Sequence, residues 1–323
     1  MPELTRGLDF LLQAAPVAAE CASVEVWWPR QVALGAHHAG PILSAIAGGY
    51  AADRLAWAFS AGYQAALRAL VPQLPPDALA SLCVSETAGN HPRAIQTSLS
   101  PHPDLPGTYL LDGAKRWTTL GPDSALLLVA ARTAAAPDAT RVPIRLALVR
   151  QGTPGVGLSR MSDIRFIPEV AHAEVRFERV LVGEQDLFEG DGYARYVKPF
   201  RSIEDLHVHA ATLAYLLREA RRLEWPRPWV ERAFAALHAL TAIAPRDASA
   251  PATHIALAGA LEIGAALLRE ADACWAATPG DPACARWTRD RALLTVASKA
   301  RALRVERAWE RIGAEPSRHA GDQ

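Results

Sequence analysis

Apolar positions change their period twice along the chain, and the two changes divide it into three parts. Over residues 42–71, Leu43, Ile46, Tyr50, Leu55, Phe59, Tyr63, Leu67 and Leu70 recur near a three-to-four spacing, which predicts helix. Gly48 and Gly49 fall inside this pattern, so one kinked helix and two separate helices both fit. A short helical stretch at 4–13 and a loop through Trp27, Trp28 and Pro29 precede it, and the prolines of 72–76 close it. Between about 80 and 183 the period becomes two. Residues 82–85, 94–97, 109–111, 125–130, 144–149 and 174–177 read as short strands separated by Gly/Pro/Asp turns. Asp112-Gly113, between two strand-like runs, is the best hairpin signal in the chain. Beyond Asp191 the helical period returns, with Ile203, Leu206, Ala210, Leu213 and Leu217 forming one stripe over 202–222. Helical stretches at 229–243, 254–275 and 283–312 follow, joined by proline-bearing connections. The fold class predicted is α+β and multidomain: a small helical N-terminal domain (1–79), a central β-barrel or sandwich (80–190) and a C-terminal four-helix bundle (191–323).

Composition narrows the function classes. Half of the 323 residues are hydrophobic and 34 basic side chains balance 34 acidic ones, which supplies a core and removes the electrostatic footprint of a nucleic-acid or anionic-membrane partner. The most apolar stretches, 31–52 and 252–268, are broken by His37-His38 and Gly-Pro or carry Glu262, so no membrane span is expected. Glu3 and Asp9 stand where a signal peptide needs basic residues, which leads to the expectation of a cytoplasmic protein. Four cysteines without CxxC spacing, and His207 and His209 about 200° apart on a helix, predict no metal site. The glycine-rich run at 152–157 reads as a tight turn rather than a nucleotide loop.

The informative residues lie in the β region. Ser85-Glu86-Thr87-Ala88-Gly89-Asn90 ends one strand, and Gly107-Thr108-Tyr109 leads to Lys115-Arg116-Trp117-Thr118-Thr119-Leu120-Gly121. Phe177-Glu178-Arg179-Val180 and Gly190-Asp191-Gly192-Tyr193 follow. This series resembles the acyl-CoA dehydrogenase family, which shows a TEPxAGSD-like run, a GxKxWITNG run, an F-[ED]-x-V strand and a GxG[FY] entry to its C-terminal bundle. The resemblance implies FAD bound where the β domain meets the bundle, and oxidation of the Cα–Cβ bond of an acyl thioester carried by CoA or a carrier protein. It further implies that the Ser85 and Thr119 hydroxyls serve the flavin edge, that Trp117 packs beside the ring, and that Gly89 lies in the turn next to it. A homo-oligomer, or an assembly with a homologue, is implied as well.

Departures from the family pattern bear on the catalytic base. The first run lacks its proline and has Asn90-His91 in place of Ser-Asp, and Leu120 replaces a side-chain amide. Glu310 stands for a glutamine near the end, and no ERxxFG segment follows Arg222. The segment that carries the catalytic glutamate in much of the family is not in this sequence. The resemblance then places the base on the first bundle helix, at Glu204 or the adjacent Asp205. A competing reading of the same residues is a helix start, because Ser202 and Asp205 form an S-x-x-D capping pattern. The N-terminal part is shorter than the family's, which leaves the acyl pocket open or filled by the Trp27-Trp28 segment. The eroded runs also support an alternative, a catalytically inactive homologue acting as a binding or assembly partner.

Overall fold

The computed structural model describes residues 7–134, 142–162, 164–296 and 298–314. The first helices are α1 (Phe10–Gln13), α2 (Val24–Gly35), α3 (Gly40–Ala51) and α4 (Leu55–Leu70). Residues 4–6 of the predicted first helix lie outside the described residues. The predicted loop at 27–29 is instead part of α2. Pro29 is tolerated inside it, and Trp27 is buried in a stack on Trp57 with ring centroids 5.4 Å apart. The 42–71 segment resolves into two helices, and the break falls at residues 52–54 rather than at the glycine pair. The glycines serve packing. A Cβ on Gly49 would lie 2.1 Å from the Ala211 carbonyl oxygen, and one on Gly62 would lie 2.5 Å from the Val208 Cα. Both glycines therefore let α3 and α4 press directly against the first helix of the C-terminal part.

The middle of the chain forms β1 (Ala80–Cys83), β2 (Ser98–Pro101), β3 (Thr108–Thr119), β4 (Leu126–Arg132), β5 (Ile144–Arg150), β6 (Val156–Arg160) and β7 (His172–Gly183). They make one curled sheet in the order β1-β4-β2-β3-β7-β6, with β5 paired to β4. Alternate residues such as Leu111, Leu127, Val129, Val175 and Phe177 fill its inner face. Two expectations fail here. Residues 94–97 are not a strand, since Pro92–Ala94 forms a 3-10 turn and β2 begins at Ser98. Asp112-Gly113 is not a hairpin either. It lies inside the twelve-residue β3, at a register shift against β7. Gly113 has φ +141 and a Cβ there would lie 2.6 Å from the Thr97 Cα, while Asp112 accepts a hydrogen bond from the Arg179 N–H at 2.8 Å. A bulge and a tight turn both demand an unusual backbone, and tertiary contact chose the bulge.

The C-terminal part holds α5 (Lys198–Arg222), α6 (Arg227–Ile243), α7 (Pro251–Ala276), α8 (Pro282–Asp290) and α9 (Ser298–Ala314). The predicted helix at 283–312 is thus broken by a 3-10 segment at Arg291–Thr295. α5 is preceded by a π-turn at Tyr193–Val197, so Ser202 and Asp205 sit inside a continuous helix and the capping reading does not hold. Buried along most of its length, α5 packs on α3 and α4 as well as on α6 and α7. The bundle and the N-terminal helices therefore join into one helical body against which the sheet is set. α7 alone among the described helices is long and apolar enough to cross a membrane, and it packs here against α5, α6 and α9.

Candidate active site at the sheet–helix junction

Backbone strain concentrates in the run after Lys115. Trp117 has φ +59 and Leu120 φ +57, both in the left-handed region, and the β3–β7 register shifts between Lys115 and Thr118. Such positions persist only where surrounding structure enforces them, and they gather at functional sites. The bulge has a direct effect on side-chain direction. Lys115 and Thr118 point inward and are fully buried, whereas Trp117 is turned out and left 52% exposed. A large indole held outward by a strained backbone is poorly explained as core and well explained as a face for a ligand.

Beneath the bulge lies an ion pair whose lysine is fully buried and whose carboxylate is partly buried. The Lys115 Nζ donates to Glu86 Oε1 at 2.7 Å and to the Val84 carbonyl at 3.3 Å. Glu86 also accepts from the backbone N–H groups of Gln96 (2.7 Å) and Thr97 (3.0 Å). The pair ties the segment after β1 to β3, helped by the Arg116 N–H donating to the Ser85 carbonyl at 2.7 Å. Ser85 is thereby placed beside Trp117.

Ser85, Trp117, Thr119 and Glu204 all line one cavity of about 160 Å³ between the sheet and α5. Its other walls include Tyr63 from α4, Phe200 and Arg201 from α5, and Asn90. Gly89 is not among them. It closes the preceding turn, where the Glu86 and Gly89 backbones exchange hydrogen bonds at 2.9 Å, and its φ of +111 accounts for the glycine. Trp27 and Trp28 do not reach the cavity either. Trp28 instead donates from Nε1 to the Asp77 carbonyl at 2.8 Å.

The Thr119 hydroxyl lies 3.3 Å from His172 Nε2, and His172 Nδ1 lies 3.1 Å from the Val170 carbonyl. The carbonyl can only accept, so Nδ1 carries the proton and Nε2 accepts from Thr119. Tyr63 accepts from the Leu82 N–H at 2.9 Å, and its ring meets Phe200 edge-on. Arg201 donates to Asn90 Oδ1 at 3.2 Å, pinning the loop beyond Ser85. Glu204 accepts no hydrogen bond from any described residue. Burial pushes its carboxyl up to about 7, the Asp205 carboxylate adds to the rise, and Arg301 and Arg201 oppose it. Asp205 points elsewhere, held by Arg301 Nε at 2.9 Å and by Arg304, both on α9.

These two adjacent acids therefore separate in role: Asp205 anchors a helix and Glu204 faces the cavity. A carboxyl poised near neutral pH, in a cavity with a mixed polar and apolar lining, can take a proton at pH 7 and above. The sequence signal for Tyr63, Phe200 and Arg201 was weak. Phe200 and Arg201 share the face of α5 with Glu204, at the i, i+1, i+4 spacing. The hydroxyls of Ser85 and Thr119 together with the outward indole suit a planar heteroaromatic group with a polar edge. Ser85 can donate, and Thr119, whose proton goes to His172, can accept, a polar pair that fits the edge of a flavin ring.

The sequence profile of the acyl-CoA dehydrogenase middle domain matches residues 81–180. No curated protein matches the chain by sequence. Among solved structures, the chain is similar to butyryl-CoA dehydrogenase from Megasphaera elsdenii (TM-score 0.69, 16% identity, 91% of each chain covered). It is also similar to an FAD-dependent dehydrogenase (TM-score 0.71, 14% identity, 94% of this chain and 97% of the other). Glutaryl-CoA dehydrogenase from Mycobacterium smegmatis gives a TM-score of 0.65 at 13% identity, over 88% and 86% of the two chains. At these identities the likeness is one of fold.

Proposed function

Given that the chain carries an acyl-CoA dehydrogenase middle domain at residues 81–180 and the fold of that family, we propose that it oxidises the Cα–Cβ bond of a small acyl thioester, with Glu204 as the base. The observation that supports this most is the position of the Glu204 carboxyl, without a hydrogen-bond partner among the described residues, on the same cavity of about 160 Å³ as the Ser85 and Thr119 hydroxyls. The α-proton of a thioester is weakly acidic, so its removal needs a carboxylate in a dry site. Tyr63, Val197 and Phe200 supply the apolar part of the wall beside Glu204, and burial raises its basicity. FAD, held by Ser85, Trp117 and Thr119, would supply the two-electron acceptor that desaturation requires.

The size of the substrate follows from packing. Ligand pockets usually measure about 300–1,000 Å³, and this cavity is well below that range. Near Glu204, the close approaches of Gly62 to Val208 and of Gly49 to Ala211 draw the helices together, and a cavity this small suits a short acyl group. Oligomer formation belongs to the same proposal: α7 exposes Ile263, and α9 exposes Leu303, Trp309 and Ile312, apolar side chains that suit a second copy or a homologue.

The test is a visible absorbance spectrum of the purified protein, before and after incubation with excess FAD and desalting. A retained flavin band that short-chain acyl-CoAs bleach supports the proposal. Glu204→Gln should then keep the flavin and lose the bleaching, by roughly 10²–10⁴-fold in rate. A colourless protein that cannot be loaded would overturn it and leave the inactive homologue as the reading to pursue.

A further inference from the structure

α5 separates the Glu204 cavity from a second, much larger one of about 1020 Å³. Successive residues on a helix are about 100° apart. Accordingly, Arg201 and Glu204 face the first cavity, whereas Pro199, Ser202, Ile203 and Leu206 face the second. Its other boundaries are the start of α3, the end of α4, the loop after α6 and the start of α7. Ile42, Leu43, Leu70, Ile203, Leu206 and Leu257 give it apolar walls.

Three polar side chains line this cavity while almost fully buried: Ser202 (3% exposed), His207 (3%) and Thr253 (4%). The Ser202 hydroxyl has no hydrogen-bond partner among the described residues. A helical serine can satisfy itself on the carbonyl four residues back, and this one does not. A stranded buried hydroxyl marks a place where a partner belongs. His207 adds no charge there. It bonds the Ile203 carbonyl through Nδ1 at 2.7 Å, and burial lowers its pKa to about 4. Positive charge enters at the rim, from the exposed Arg195 and Arg246. Arg195 has a loose contact of 3.6 Å with the exposed Glu189, and Arg246 pairs with no described residue. The acidic rim residue Asp247 is engaged by the Ser249 N–H at 2.8 Å. Arg68 is occupied by the carbonyls of Gln64, Pro75 and Ala78.

We propose that this cavity is a second binding site, for an amphipathic carboxylate. Its apolar chain lies along Ile203, Leu206 and Leu257. Its head group takes the Ser202 hydroxyl and the field of Arg195 and Arg246. The site is independent of the dehydrogenase reading, because no residue lines both cavities.

Calorimetric titration of the full chain with decanoate tests the proposal. Saturable one-to-one binding is expected, with decanol roughly tenfold weaker or worse because it lacks the charge. Arg195→Glu/Arg246→Glu, at exposed positions, should weaken decanoate by a similar factor. Ala244→Trp, which fills the cavity from a half-buried position, should abolish binding in a protein that still melts cooperatively. Glu204→Gln should bind as the wild type does. Absence of saturable binding, equal affinity for decanol, or loss of binding in Glu204→Gln but not in Ala244→Trp or the double arginine variant would each overturn it.

Discussion

Glu86 and Glu204 are two partly buried carboxyls, and the protein treats them in opposite ways. Burial alone would raise both. At Glu86 the Lys115 ammonium and the backbone N–H groups of Thr97 and Gln96 outweigh it, and the carboxyl is held below its ordinary value. At Glu204 no donor answers the burial and the neighbouring Asp205 adds to it, so the carboxyl rises to about 7. The contrast shows that depth does not decide what a buried acid is for. Saturation with donors makes Glu86 a structural anion, and the lack of it leaves Glu204 able to exchange a proton.

Removing the partner of the saturated acid should produce the largest change in stability. Lys115→Met leaves the Glu86 carboxylate with only the Gln96 and Thr97 N–H groups, which should cost about 3 kcal/mol in denaturant titrations. Glu86→Gln/Lys115→Met should recover much of that loss. A single-variant cost below about 1 kcal/mol would mean that Glu86 is not committed to Lys115.

The opposite sign is expected at Glu204. Its folded pKa lies above the ordinary carboxylate value of 4.5, so the fold binds the proton more tightly than the unfolded chain does. The resulting stability is fully present below that value and is lost as pH rises through about 7. Glu204→Gln should therefore be stabilising by about 2 kcal/mol in mildly alkaline buffer and neutral in acid. Thermal melts across this pH range check it. A variant no more stable than wild type under alkaline conditions would show that the carboxylate has a partner after all.

Much of this comparison was open to sequence reading, and the part that was not has a physical reason. The α–β–α order is written in the period of the apolar residues, because a strand and a helix turn every second or every third-to-fourth side chain to the core. Ser85, Trp117, Thr119 and Glu204 were found by their place in motifs, and they line one cavity. Tyr63 was visible as a core position of a helix, yet nothing local says that its hydroxyl meets the Leu82 N–H across the chain. Asp112-Gly113 reports only that an unusual backbone is needed. The close approach of Thr97 turns that need into a bulge. The separation of Glu204 from Asp205 was equally hidden, since Arg301 and Arg304 lie about a hundred residues away in sequence.

That separation supplies the next test. Asp205→Asn takes the carboxylate from two arginines of α9 and removes the like charge beside Glu204. Stability should fall by about 1–3 kcal/mol, since the pairs are only partly screened from water. The Glu204 carboxyl should become more acidic, shifting any rising limb of the turnover–pH profile to lower pH. Loss of stability without that shift would make Asp205 an anchor for α9 and nothing more.

The smallest effect on the fold is expected at Trp117, and that smallness is informative. Its indole is half exposed, and its left-handed backbone belongs to a bulge that Lys115 and Thr118 hold from within. Trp117→Ala should change stability by no more than about 0.5 kcal/mol, as a surface substitution does. Its effect should appear in the retention of FAD, weakened roughly tenfold if the indole packs on the ring. Equilibrium dialysis against the flavin measures this directly. An unchanged affinity would remove Trp117 from the cofactor's surroundings, whereas a large loss of stability would show that the indole packs against the protein more than its exposure indicates. Glycine at the same position removes the side chain and relieves the positive φ together. The difference between the two variants therefore measures the strain that keeps the indole turned outward.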